Sequence, residues 1–160
     1  MSNLGQSKAR AILGLTLAIG TSAALLVPTV AYGDMAVCDL STLKGQYLSY
    51  SNGTVFPTAF GVTAVSVSAS AGYSLYNGDG TGEDHVTLTI DGVNKNVPSP
   101  QQFTYTLNPD CTGTKTVLHG GPQFDLFVAS DGEALTQVAT APAGFAVANI
   151  LTRFGEQAAQ

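Results

Sequence analysis

The chain has no tryptophan, two cysteines, two histidines and six basic residues in 160 positions. Each scarcity removes a class of function. A zinc site wants three or four ligands, and Cys111 with His119, in "NPDCTGTKTVLHGG", makes two. A Cys–His nucleophile needs a thiolate and a third group to orient the imidazole, and the sequence supplies no such group. Nucleic acid and anionic membrane surfaces need a basic patch, and none is present. Neither a metal nor an organic cofactor is implied. Beyond residue 33 no hydrophobic stretch is long enough to span a bilayer.

The one long apolar run lies at the N-terminus. "MSNLGQSKAR" carries Lys8 and Arg10 and no acid, and "AILGLTLAIGTSAALLVPTVAYG" follows it. A basic start, an apolar centre and small residues at the cut define a secretory signal. Ala31 and Gly33 fit the −3 and −1 positions, so residues 1–33 are expected to be the signal and 34–160 a single exported domain. Cleavage after Ala36 is the near alternative. Gly14, Gly20, Thr21, Ser22 and Pro28 interrupt the run too often for a retained anchor, and "MAVC" lacks the small residue that precedes a lipid-modified cysteine. Removing the signal leaves four basic residues against all eleven acidic ones, a net charge of −7. The expected location is secreted or periplasmic.

Exported cysteines meet an oxidising compartment, where two thiols pair. A Cys38–Cys111 disulfide would close a loop of 73 residues and contribute ~4 kcal/mol on the chain-entropy model. That staple is the expectation, ahead of the nucleophile and metal readings.

Residues 43–154 read as strand, turn, strand. In "HVTLTID" Val86, Leu88 and Ile90 share one face, with Thr87 and Thr89 on the other. In "QFTYTLN" Phe103, Tyr105 and Leu107 alternate with Thr104 and Thr106. Further strands are expected over 45–51, 60–69, 72–77, 114–119, 123–129, 134–140 and 145–154. Turns are expected at Asn52-Gly53, Asn77-Gly78, Asp79-Gly80, Asp91-Gly92, Thr112-Gly113, Asp131-Gly132 and Ala143-Gly144, pairs that tolerate positive φ. About nine short strands joined by hairpins predict an all-β fold. Closure into an antiparallel up-and-down barrel of about eight strands removes exposed edges.

Two motifs carry a resemblance. Cys-x4-Leu-x-Gly-x-Tyr runs from Cys38 to Tyr47, and Asn-x-Asp-Cys-Thr-Gly-Thr from Asn108 to Thr114. Together they resemble a group of small exported bacterial proteins, which implies no activity. More distantly the pattern is similar to calycin-like barrels, the lipocalins and the allene oxide cyclase type. Lipocalins open with Gly-x-Trp and pack a late arginine over that ring. Gly45-Gln46-Tyr47 and Arg153 would take those places, with Tyr for Trp a departure, so the resemblance implies closure of the barrel at Tyr47 and Arg153.

The candidate site is the barrel interior. Aromatics on expected strands, with tyrosine hydroxyls as polar fixtures, would line a cup for a small apolar or amphipathic molecule: Tyr50, Tyr73, Phe103, Tyr105, Phe124 and Phe127, with Asp125 as the polar group. Asp125 lies among Phe124, Leu126 and Phe127, where an inward carboxylate would be raised in pKa by desolvation. Asp125 and His119 are therefore the catalytic candidates if the cup is a cyclase or isomerase. A filled barrel serving as a structural surface protein is the third reading. "NGDGTGEDH", 77–85, lacks EF-hand spacing and reads as a solvated hairpin tip, with Tyr76 beside it.

Overall fold

A computed structural model describes residues 37–155; the expected signal, 1–33, lies outside the described residues. After a short 3-10 turn, Leu40–Thr42, come β1 (Lys44–Val55), β2 (Ser66–Asn77), β3 (Thr81–Ile90), β4 (Val93–Asn94), β5 (Gln101–Leu107), β6 (Thr112–Val117), β7 (Gln123–Val128), β8 (Ala134–Ala141) and β9 (Phe145–Arg153). All pairings are antiparallel. Eight strands close in the order β1-β2-β3-β5-β6-β7-β8-β9, and β9 returns to β1 with Tyr47 opposite Arg153 and Val55 opposite Phe145. The fold is an up-and-down barrel, as the hairpin signals predict. β4 is an extra two-residue strand on β3. It follows Asp91-Gly92, whose φ values of 51° and 75° suit a tight hairpin. Among the described residues no helix is long and apolar enough to cross a membrane.

Period-2 alternation decides what enters the barrel. Tyr47, Ser51 and Val55 of β1, Ser74 and Tyr76 of β2, Asp84 and Ile90 of β3, Phe103 and Tyr105 of β5 and Lys115 and Val117 of β6 are buried. So are Phe124, Leu126 and Val128 of β7, Leu135 and Gln137 of β8 and Val147 and Leu151 of β9.

Three expected breaks are not breaks. β1 runs through Asn52-Gly53 and β2 runs through 70–71. Gly53 is there for clearance: a Cβ would run into the Ala146 carbonyl and the Val147 side chain of β9. Gly113 likewise sits inside β6, where a Cβ would meet the Thr106 carbonyl, and the turn falls earlier, with Cys111 at φ 65°.

One end of the barrel is filled and sealed. Tyr47 and Tyr76 pack edge to face at 5.3 Å, and Tyr76 meets Phe103 at 4.9 Å and Tyr105 at 5.1 Å. Tyr76 does stand beside the hairpin tip that follows β2, as expected, yet it is a fully buried core residue. The segment from Val37 to Leu43 plugs this end. Leu43 is wholly buried, and Tyr105 Oη donates to the carbonyls of Leu40 (2.9 Å) and Leu43 (3.0 Å). The Cys38–Cys111 disulfide ties the plug to the β5–β6 hairpin.

Two hairpin tips at the sealed end share one design. In Asn77-Gly-Asp79-Gly-Thr81 and Asn108-Pro-Asp110-Cys-Thr112 the Asp Oδ1 accepts from the Thr backbone N–H and hydroxyl, and the Asn amide donates to the Thr Oγ1. Asp79 is therefore a turn residue, but the tip ends at Gly80. Residues 81–85, expected to be part of a solvated tip, belong to β3, whose alternation turns Asp84 into the barrel at 6 % exposure.

Candidate functional site

At the opposite end the barrel is open. A cavity of about 400 Å³ fills the upper half, with a rim formed by Phe60, by Val97, Pro98 and Pro100 and by the 118–122 turn. The strands that build the sealed half also build this one, by a change of side-chain type. Where β1 and β2 change from tyrosine to serine, the interior opens. Ser49, Ser51, Ser70 and Ser74 line one wall, and Gln137 and Asn149, cross-strand partners on β8 and β9, line another. Between them lie apolar surfaces from Val86, Leu88, Val117, Phe124, Phe145 and Val147.

The floor is a buried ion pair. Lys115 Nζ lies 2.8 Å from Asp84 Oδ1, and the same oxygen accepts from Ser74 Oγ at 2.6 Å. The two charges stand on β6 and β3, with β5 between them. Phe103 of β5 offers its ring face to Lys115 Nζ at 4.0 Å, and Tyr76 and Phe124 flank it at 5.6 and 5.9 Å. A buried ammonium is tolerated where a carboxylate and ring faces replace its water. Burial lowers the Lys115 pKa from the ordinary lysine range, with the charge and hydrogen bond of Asp84 opposing the shift. Burial, with the nearby Asp84 charge second, pushes Tyr76 well above the ordinary phenol range.

The carboxamide oxygens find no donor among the described residues. Oε1 of Gln137 and Oδ1 of Asn149 are buried and accept no hydrogen bond. Ser51 Oγ is 2.7 Å from Ser70 Oγ. The cavity can therefore hold an apolar body while presenting hydrogen-bonding groups on two walls and the floor.

The residues singled out from the sequence are divided by strand parity. Phe124 lines the cavity. Phe103 and Tyr105 point inward but belong to the filled half. Tyr50 and Phe127 are 59 % and 52 % exposed on the outer wall, so neither lines an interior site. Tyr73 is also outside, stacked on His85 at 4.5 Å, while His85 Nε2 is 2.8 Å from Glu83 Oε1. Asp125 is exposed as well. With Phe124, Leu126 and Val128 all inward, alternation forces Asp125 and Phe127 out; the exposed Phe127 made the neighbourhood look more buried than it is. His119 is exposed on the turn after β6, at the mouth of the cavity.

Tyr47 and Arg153 meet at the sealed end. Arg153 donates from Nη2 and Nε to Tyr47 Oη at 2.9 and 3.3 Å, and Tyr47 Oη donates to the Gly132 carbonyl at 2.7 Å. Burial raises the Tyr47 pKa, with Arg153 opposing it, and the Tyr47 hydrogen bond raises that of Arg153. Arg153 also reaches the Thr42 carbonyl at 3.2 Å and Glu133 Oε1 at 3.0 Å.

The polar floor and walls were not singled out from the sequence. Asp84 shares the parity of Val86, Leu88 and Ile90, and Lys115 that of Val117. A charge at an apolar parity position on each of two strands was the available signal.

The chain matches no protein-family model and no curated protein.

Proposed function

We propose that the protein is an exported, disulfide-stapled barrel that binds one small amphipathic molecule in its open half. The observation that carries this reading is the cavity of about 400 Å³, apolar on its sides and polar on its floor and two walls. Small-molecule sites have volumes of roughly 300–1,000 Å³ and combine apolar lining with a few polar groups. Sealing one end and leaving the other open gives a cup with a single entrance. The calycin-like resemblance agrees with this use of a barrel, and the open half weighs against a purely structural, filled one. A cyclase or isomerase in the same cup would have Lys115 and Asp84 as its polar groups, because Asp125 faces solvent.

Native mass spectrometry of protein from its own host, repeated after adding the neutral dye N-phenylnaphthylamine, tests the reading. A one-to-one complex with a host molecule or with the dye is expected. Bare protein in both spectra would contradict it.

A further inference from the structure

Resting on that reading, we infer that the occupant is an uncharged amphiphile whose head both donates and accepts hydrogen bonds, such as a primary alcohol or carboxamide, and not a carboxylate or an amine. The inference comes from how charge is distributed in the cup. Among the described residues that line it, Asp84 and Lys115 are the only Asp, Glu, Lys or Arg. They already neutralise one another at 2.8 Å. A carboxylate arriving at the floor would meet Lys115 but also the negative charge of Asp84, in surroundings too dry to screen it. An ammonium would meet the converse. A charged head would have to shed its water for no net attraction.

Neutral heads face no such penalty. Ser49, Ser51, Ser70, Gln137 and Asn149 are uncharged groups with donors and acceptors. Gln137 is 3 % exposed, and its Oε1 has no partner among the described residues. A buried carbonyl oxygen left unsatisfied is costly, and it calls for a donor on the head. The serine hydroxyls and carboxamide N–H groups that line the same walls can donate to an acceptor on it.

Competition for bound N-phenylnaphthylamine by decanol, decanamide, decanoate and decylamine, at neutral pH, reads this directly. Decanol and decanamide are expected to displace the dye at least tenfold more tightly than either charged probe. Asp84→Asn leaves Lys115 without its counter-charge and should reverse the order, with decanoate becoming the tightest probe. If that variant fails to fold, the Asp84→Leu, Lys115→Met double variant replaces it and should keep the neutral preference. Gln137→Met with Asn149→Leu should lose most of the advantage of decanamide while still binding the dye. Decanoate matching decanol in the unmodified protein would overturn the inference and leave the cup reading intact. Failure of the dye to bind at all would overturn the cup reading and this inference with it.

Discussion

Lys115 and Asp84 meet inside the barrel, Nζ to Oδ1 at 2.8 Å, at the level where aromatic packing ends and the cavity begins. Both are nearly inaccessible, at 1 % and 9 % side-chain exposure. Removing one partner strands the other, so Asp84→Leu or Lys115→Met alone should cost about 3–5 kcal/mol, whereas the double variant should return close to the unmodified stability. A double-mutant cycle by chemical denaturation measures this. Additive losses would mean that the pair is not coupled.

Tyr47 and Tyr76 pack against each other, yet their hydroxyls differ. Tyr47 Oη bonds to Gly132 and Arg153, while Tyr76 Oη is buried without a partner among the described residues. Tyr47→Phe should therefore destabilise by about 1–3 kcal/mol, and Tyr76→Phe should be neutral or stabilising. Urea midpoints for the two variants decide it. A larger loss at Tyr76 would contradict this difference between the two hydroxyls.

The Cys38–Cys111 bridge spans 73 residues and holds the plug segment in place. Replacing both cysteines by serine should lower stability by ~4 kcal/mol and expose the sealed end. Hydrogen exchange should then quicken around Leu43 and Tyr105 before the upper strands. Uniform quickening would mean that the bridge does not act on the plug.

Asp79 and Asp110 have pKa values lowered chiefly by the hydroxyls of Thr81 and Thr112. A carboxyl group with a lower pKa folded than unfolded contributes stability above the unfolded value, about 4, and loses it as pH falls through the folded value. Stability should hold from neutral pH down to about pH 4 and fall below it. Asp79→Asn with Asp110→Asn should flatten that decline. An unchanged acid limb in thermal denaturation would place the sensitive groups elsewhere.

How far the sequence reveals this molecule depends on which physical signal each part leaves. Hairpin pairs such as Asp91-Gly92 and Asp131-Gly132, with alternation in "HVTLTID", made a closed antiparallel barrel legible. Glycines used for clearance left a misleading signal: Gly53 and Gly113 resemble turn residues locally, and their real constraint is a neighbouring backbone far away in sequence. The site was harder still. Large aromatics are conspicuous, but Tyr47, Tyr76, Phe103 and Tyr105 fill the barrel, and the cavity opens where side chains are small. Serines at 49, 51, 70 and 74 look like ordinary surface residues until strand parity turns them inward. Lys115 and Asp84 become a pair only when β5 brings β3 and β6 into register.

Binding in the open half, against binding on the exposed apolar residues of the outer wall, is resolved by filling the cup. Val86 lines the cavity from β3, and Val86→Trp would occupy it without altering the outer surface. Titration of N-phenylnaphthylamine into the unmodified protein should saturate at one dye per chain, and the tryptophan variant, with its folding checked by denaturation, should lose that binding. Equal dye binding by both proteins would place the ligand outside the barrel and contradict the cup.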